Sequence, residues 1–169
     1  MTQPSSLTDS ERVRTFTWSD PLETATAAAS LPGIEAIRKI ADGELPPPPI
    51  AQLLDFEISL VEEGHVIFAF TPAEWMYNPI GSVHGGVAAT LLDSSLGCAV
   101  HTTLAAGRRY TTSDLQVRYV RAMSADSGRV LADSHVVHAG RKLATAEGRL
   151  YAEDDGKLFA HATTSCLIL

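Results

Sequence analysis

One carboxylate stands alone in a long apolar stretch of the sequence. Asp93 is the only charged residue in the segment 85–100, whose other positions are Val, Ala, Leu, Thr, Ser, Gly and Cys. An ionised carboxylate is costly to bury, so the site must supply hydrogen bonds or keep the group close to water. A carboxylate held in this way can act as a general base or a nucleophile. It can equally be a structural residue, hydrogen-bonded to a strand or placed at a subunit interface.

A His-Gly-Gly sequence precedes this stretch. His84, Gly85 and Gly86 lie where the helix that contains Asp93 must begin, so unpaired backbone N–H groups and the positive end of the helix dipole meet there. Glycines let a ligand approach the backbone, and such N–H groups can stabilise a carbonyl oxygen that gains negative charge during acyl transfer. Asn78, six residues before His84, offers both a donor and an acceptor. A tight turn and a structural imidazole explain some of these residues, but not the whole set.

The surrounding elements indicate one helix enclosed by strands. The main helix, predicted at about 87–104, is apolar or small almost all round, which is typical of a helix wrapped by a sheet. Alternating apolar residues predict two strands before it and four after it. These strands are predicted at 53–61, 65–71, 109–121, 129–138, 142–152 and 158–169. The fold class is therefore α+β, with an antiparallel sheet of about six strands around one long central helix.

A helical segment precedes the strands. Asp20 is predicted to cap a short helix with Pro21 at its first position, and a second helix is predicted over 32–43. The four prolines 46–49 predict a stiff extended link. The chain is accordingly divided into an N-terminal helical extension with a Pro-rich link, residues 1–49, and a main domain, residues 50–169.

Composition and charge limit the classes of partner that the chain is expected to bind. The net charge is −7, with four Lys/Arg against thirteen Asp/Glu in residues 1–107 and nine against seven in residues 108–169. An acidic chain is a poor nucleic-acid binder, while the basic second half suits either a compact polyanion or solvated strand faces. No apolar stretch approaches the roughly 20 residues that span a bilayer, and residues 1–14 do not resemble a secretory signal. We expect a cytoplasmic protein that binds neither membrane nor nucleic acid.

Other chemistries find no support in the sequence. It contains no Gly-x-Ser-x-Gly elbow and no phosphate- or dinucleotide-binding glycine motif. Cys98 and Cys166 are far apart in apolar runs and are expected to be reduced core thiols. His135 and His138 are three residues apart on a predicted strand, which places them on opposite faces of a regular sheet and argues against a pair of metal ligands. We therefore expect no metal and no cofactor.

The run from Asn78 to Gly86, followed by Asp93, forms the pattern Asn-x2-Gly-x2-His-Gly-Gly-x6-Asp. This pattern closely resembles the hotdog-fold thioesterases of the PaaI-like group, named for phenylacetic acid degradation. The likeness extends through 114–119 and 138–142 and covers about residues 50–169. It implies the hotdog fold, hydrolysis of acyl-CoA thioesters to free acid and coenzyme A, and a homodimer or a tetramer formed from two dimers. Coenzyme A is then part of the substrate and not a cofactor.

The resemblance also implies residue roles. The Gly85 backbone N–H would polarise the thioester carbonyl. Asp93 would reach across a dimer interface as general base or nucleophile. Asn78 and His84 would orient the water or the leaving group.

A Ser or Thr at the start of the strand after the helix usually assists the carboxylate in this group. Counting back from Asp114 selects Thr112, whereas simple alternation selects Thr111. Coenzyme A would bind partly through Arg141 and Lys142, with Arg121 as a further candidate, although exposed turn charges explain these residues nearly as well.

Two other functions are compatible with a hotdog fold. The same fold can serve as a non-catalytic module that binds an acyl-CoA or an aryl ligand. A hotdog hydratase is disfavoured, because the residue five positions after Asp93 is Cys98 where those enzymes have a histidine. The acyl group is not determined: Trp75, Met76, Tyr77 and Leu91 can line its pocket or belong to the core.

Overall fold

A single antiparallel sheet with one long helix on one face forms the body of the protein. The computed structural model describes residues 12–169, and residues 1–11 of the predicted N-terminal extension lie outside them. The strand order is β1-β2-β4-β5-β6-β3. The strands are β1 (Phe56–Glu62), β2 (His65–Phe70), β3 (Tyr110–Tyr119), β4 (Val130–Ala139), β5 (Leu143–Ala152) and β6 (Leu158–Ile168), and the helices are α1 (Pro21–Ala29), α2 (Gly33–Ala41), α3 (Pro49–Leu54) and α4 (Gly85–Thr102). The predicted α+β class and the order of two strands, one helix and four strands are confirmed.

Helix α4 is held on the sheet mainly by burial of apolar side chains. Its leucines 91, 92 and 96 are completely buried, and they belong to one core with the inward-facing residues of the strands, among them Val66, Phe68, Val130 and Leu150. Each such side chain contributes roughly 1.5–3 kcal/mol when it is fully removed from water. None of the helices formed by residues 12–169 has the length and apolarity needed to cross a bilayer.

A glycine and a pair of serines lie where α4 packs on the sheet. The Ser95 hydroxyl of α4 is hydrogen-bonded to the Ser134 hydroxyl of β4 at 2.7 Å, and both residues are buried. Gly148 of β5 lies beside this pair, where a Cβ atom would come within 2.4 Å of the Ser134 Oγ. The two hydroxyls satisfy each other, so α4 lies close to the sheet without leaving a buried polar group unpaired.

Helix α2 packs against the far end of α4, and α1 packs on α2. Asp20 caps α1 by accepting a hydrogen bond from the Leu22 N–H at 2.9 Å, as predicted. At the start of α2, the Gly33 N–H donates to the Leu104 carbonyl at 2.9 Å. A Cβ atom on Gly33 would lie 1.8 Å from the His101 carbonyl oxygen, so only glycine permits this contact. The proposed division of the chain after residue 49 stays a prediction.

The first strand begins later than predicted. Residues Pro49–Leu54 form α3, and β1 starts only at Phe56, whereas the sequence analysis places a strand from residue 53. Pro49 does not end the extended link; it occupies the first turn of the helix, where a proline is favoured because its missing N–H would be unpaired in any case. Asp55, with a left-handed φ of 55°, ends the helix and turns the chain into β1.

Candidate active site

The predicted carboxylate has one hydrogen-bond donor from a neighbouring strand. Asp93 is partly buried near the middle of α4, and the Thr112 hydroxyl of β3 donates to its Oδ1 at 3.0 Å. An irregularity in β3 explains why Thr112, and not Thr111, contacts Asp93. The pairing of β3 with β6 shifts between Thr112 and Asp114, so Ser113 is an extra residue in the strand. Simple alternation fails across this bulge, and Thr112 and Leu115 therefore turn to the same, less exposed side.

The groups around Asp93 are neutral. Burial and the nearby Asp93 charge raise the pKa of Cys98 to about 12. Burial also raises the pKa of Tyr110 well above its usual value, with smaller effects from the cysteines and Asp93. The Tyr110 side chain lies against Gly97 of α4, where a Cβ atom would come within 2.3 Å of its hydroxyl oxygen. The sequence analysis did not select Tyr110, although the glycine four residues after Asp93 was a signal of close approach.

The second part of the site is the beginning of α4. His84 is the N-cap residue, and its Nδ1 accepts a hydrogen bond from the Gly86 N–H at 2.8 Å. Nδ1 must therefore be unprotonated, so the neutral ring carries its proton on Nε2. The Gly85 N–H donates to no atom of residues 12–169, and it remains available to a ligand.

Tyr119 positions this glycine. Its hydroxyl donates to the Gly85 carbonyl at 3.0 Å, and its ring atoms lie 3.2 Å from the place where a Gly85 Cβ would stand. A side chain at this position would press against the tyrosine, so the absence of a side chain is what lets the ring pack on the backbone. Sequence reasoning missed Tyr119, because nothing in the pattern of β3 separates it from other exposed strand residues.

Asn78 organises the loop before α4. Its Oδ1 accepts hydrogen bonds from the N–H groups of Ile80, at 3.1 Å, and Ser82, at 3.2 Å. Its Nδ2 donates to the Ser82 hydroxyl at 3.1 Å. The Asn78 side chain thus mainly stabilises the turn at Gly81. One of its two amide hydrogens remains to donate to a ligand.

One chain does not bring the two parts together. Gly85 and Asp93 are eight residues apart on the same straight helix, which separates them by about 12 Å along the helix axis. Asp93 and Thr112 form one pair, while Gly85, His84 and Asn78 form a second group at the beginning of the helix.

The candidate basic residues also lie in two groups, one near each end of β3. Arg141 and Lys142 are exposed in the turn between β4 and β5, and Arg108, just after α4, donates from Nη2 to the Arg141 carbonyl at 3.3 Å. Arg121 lies at the other end of β3, beside a cavity of about 330 Å³ that Gly85 and Tyr119 also line. Arg108 was not selected from the sequence; it extends the basic patch at the turn.

The four residues considered for an acyl pocket differ in their surroundings. Leu91 and Met76 are buried in the core. Trp75 and Tyr77 line an open cavity of about 500 Å³ beside His84 and Gly86. A further cavity of about 350 Å³, mostly apolar, lies between the N-terminal helices, β1 and the Cys98 side of α4.

The predicted orientation of two histidines is wrong. Pairing between β4 and β5 shifts between Val136 and His138, so His135 lies opposite Glu147 and His138 opposite Thr145. Glu147 and Thr145 are two residues apart and share one face of β5, which places both histidines on the same face of the sheet. The extra residue at position 137 is the reason, since the sequence analysis assumed a regular strand.

The sheet curved around α4, with a carboxylate on the helix and a glycine at its beginning, defines the class of hotdog-fold proteins. The family model of the thioesterase superfamily matches residues 80–159, which include this whole helix. This segment is just under half of the chain, and over it the protein is similar to the thioesterase superfamily.

Individual relatives agree with this assignment. A candidate esterase of Halobacterium salinarum is 41% identical over 69 residues, which are 40% of this chain and 44% of that protein, so the match spans less than half of the relative. A phenylacetic acid degradation-related protein of Ralstonia eutropha is 28% identical, with a TM-score of 0.70 over 78% of this chain and 98% of its own. The E. coli PaaI protein, from the phenylacetic acid degradation operon, is 21% identical with a TM-score of 0.70 over 83% and 96%, and it supports the fold.

The raised pKa of Cys98 gives a test of the environment of Asp93. At pH 7.5 the native Cys98 thiolate should be about a thousandfold rarer than in the unfolded chain, because a pKa of about 12 replaces the ordinary 9.0. We expect alkylation by iodoacetamide to be slowed correspondingly, and its rate to keep rising about tenfold per pH unit above pH 9, where the unfolded thiol levels off. Peptide mass spectrometry of native and urea-unfolded protein measures this. A native rate within tenfold of the unfolded one would contradict the assigned environment.

Proposed function

We propose that this protein hydrolyses acyl-CoA thioesters to a free acid and coenzyme A. The observation that carries the proposal is the partly buried Asp93, oriented by Thr112, on a helix whose first N–H group, that of Gly85, is available to a ligand. The similarity of residues 80–159 to the thioesterase superfamily supports it.

The chemistry needs few groups because thiolate is a good leaving group. The Gly85 N–H would hydrogen-bond the carbonyl oxygen and stabilise the negative charge that develops on it. Asp93 would take a proton from water as the water oxygen bonds to the acyl carbon, and the carbon–sulfur bond would then break to release the thiol after protonation. Alternatively, the carboxylate attacks the acyl carbon directly, the carbon–sulfur bond breaks to expel the thiolate, and water then hydrolyses the resulting anhydride to the free acid and regenerates the carboxylate. The Nε2–H of His84 and the remaining amide hydrogen of Asn78 are suited to orient the water or the sulfur.

The site would be completed by a second copy of the chain. A carbonyl oxygen about 3 Å from the Gly85 N–H lies too far from the Asp93 of the same chain, given their separation of about 12 Å along the helix. Strand β3 forms one edge of the sheet in the described part of the chain, and such an edge can pair with a copy of itself across a two-fold axis. Antiparallel pairing there would bring the Gly85 end of one chain towards the Asp93 and Thr112 of the other.

The same arrangement accounts for the division of the basic residues. Arg121 lies near the Gly85 end, and Arg141 and Lys142 lie at the opposite end of β3. Two copies in antiparallel contact would bring these groups to one side of the shared site, where they could bind the phosphates of coenzyme A. Arg108 joins this group as a further candidate.

Replacement of Asp93 tests the base. Asp93→Asn keeps the size of the side chain but removes the negative charge, and we expect kcat to fall at least about a hundredfold. Release of free thiol from a panel of aryl and straight-chain acyl-CoAs measures this, and the exposed Asp154→Asn should leave the rate unchanged. An unaltered rate in Asp93→Asn would remove Asp93 from the mechanism. If the wild type binds these thioesters but cleaves none, the non-catalytic binding module is the correct alternative.

The two threonines provide a matched pair. Thr112→Val removes the hydroxyl that donates to Asp93 while keeping the shape of the side chain, so we expect kcat to fall about tenfold, the size of one hydrogen bond to a charged group. Thr111→Val, on the exposed side of β3, should change kcat by less than about twofold. Equal losses in the two variants would show that the effect comes from the strand and not from the hydrogen bond.

A mixing experiment tests the shared site. Gly85→Pro removes the N–H donor at a position where proline is tolerated, while Gly85→Ala keeps the donor and controls for the added bulk. Gly85→Pro and Asp93→Asn should each be nearly inactive. Because half of randomly mixed dimers would be hybrids with one intact site of two, refolding the variants together should restore about a quarter of the wild-type activity. No recovery, with hybrids verified by mass, would place both groups of one site in the same chain.

A further inference from the structure

Three potential metal ligands converge on the outer face of the sheet, away from α4. His65 of β2 lies directly opposite His135 of β4, and Asp133 precedes His135 by two residues on the same face. Their neighbours Val66 and Ser134 are completely buried on the face towards α4. The cluster is therefore separated from Asp93 by the thickness of the sheet, and the proposed hydrolysis makes no use of it.

The ligand atoms already lie close together. Asp133 Oδ1 is 2.9 Å from His65 Nε2 and 3.1 Å from His135 Nε2, and all three ligand atoms lie within 4.8 Å of one another. The two imidazole rings are stacked with their centroids 3.8 Å apart and an angle of 18° between them. Ligand atoms bound tetrahedrally to one ion at distances of about 2.0–2.2 Å lie roughly 3.3–3.6 Å apart, so Asp133 Oδ1 has to move by about half an ångström from each nitrogen.

The second nitrogen of His65 has a carboxylate partner of its own. His65 lies between two carboxylates, since its Nδ1 is 3.3 Å from Glu62 Oε2 while its Nε2 faces Asp133. An ion bound by both Nε2 atoms would leave the His65 Nδ1–H to donate to Glu62, which is the carboxylate–histidine–metal arrangement that fixes the ring of a metal ligand.

The surrounding charges favour a cation. On β5, Glu147 lies opposite His135 and Arg149 opposite Asp133. Within residues 12–169, Arg149 forms no ion pair with Asp133, and its guanidinium instead lies 5.8 Å from the centre of the Tyr151 ring. Asp133 receives a second, longer hydrogen bond from the Tyr151 hydroxyl at 3.4 Å. The carboxylates around the cluster thus exceed the permanent positive charges.

We propose that His65, Asp133 and His135 bind one divalent transition-metal ion of the zinc class. Two imidazole nitrogens and one carboxylate oxygen are a donor set that favours such an ion over magnesium or calcium, which prefer oxygen ligands. The His135 side chain is 54% exposed, so its ring can rotate to direct its lone pair at the ion. A cavity of about 410 Å³ beside Asp133 and His135 leaves room for water as the remaining ligand. The ion would join β2 to β4 and stabilise the folded chain by mass action.

Calorimetric titration of the untagged full-length protein with zinc chloride tests this proposal. We expect one ion per chain, accompanied by a rise in melting temperature. His135→Asn should weaken binding at least about tenfold, a loss that even an outer residue of a metal site can cause. His138→Asn is the matched control, because it removes an exposed histidine of the same strand that is outside the cluster, and it should bind as the wild type does.

The readouts separate this proposal from the thioesterase. Free-thiol release by His135→Asn should equal that of the wild type, because the cluster lies on the other face of the sheet. Substitution of cobalt for zinc should give the visible absorption of a nitrogen- and oxygen-ligated ion in the wild type and not in His135→Asn. No saturable zinc binding by the wild type, or equal weakening by His135→Asn and His138→Asn, would overturn the metal site and leave the hydrolase proposal untouched.

Discussion

A carboxylate on a helix enclosed by a sheet stays ionised only where a donor and water both reach it. Thr112 supplies the donor at 3.0 Å, and the remaining exposure of Asp93 supplies the access. The other groups close to Asp93, the Cys98 thiol and the Tyr110 phenol, are kept neutral by burial. Within residues 12–169 Asp93 forms no ion pair, and a carboxylate in this condition can serve as a general base or a nucleophile.

Close packing around α4 depends on residues without side chains. Gly97 makes room for Tyr110 beside the carboxylate, and Gly85 makes room for Tyr119 at the start of the helix. Gly148 lets the paired hydroxyls of Ser95 and Ser134 lie between the helix and the sheet. These contacts determine where the carboxylate and the free N–H stand, so the geometry of the site and the packing of the core have the same physical origin.

The two faces of the sheet carry separate chemistry. The inner face holds α4 and the candidate hydrolytic residues, and the distance between Gly85 and Asp93 along one helix makes a second copy of the chain part of the proposed site. The outer face carries the cluster of His65, Asp133 and His135, which is joined by hydrogen bonds to Glu62 of β1 and Tyr151 of β5. A single small sheet can hold both sites because neighbouring residues of a strand point to opposite faces.

Local patterns in the sequence were enough for the class of fold and for the choice of a candidate site. The isolated charge in an apolar helix selected Asp93, the His-Gly-Gly run selected the start of α4, and alternation found the six strands, because each of these signals depends on neighbours a few residues away.

Irregularities of pairing were beyond such reasoning. The bulge at Ser113 turns the Thr112 side chain towards Asp93. The bulge at Val137 places His135 and His138 on one face. Each bulge inserts one residue into a strand, and the composition of the strand does not indicate it. Helix α3 was missed because a proline at its first turn resembles the end of a link. The cluster of His65, Asp133 and His135 was decided by tertiary structure alone, since its members lie on strands 68 residues apart in sequence and meet only when β2 pairs with β4.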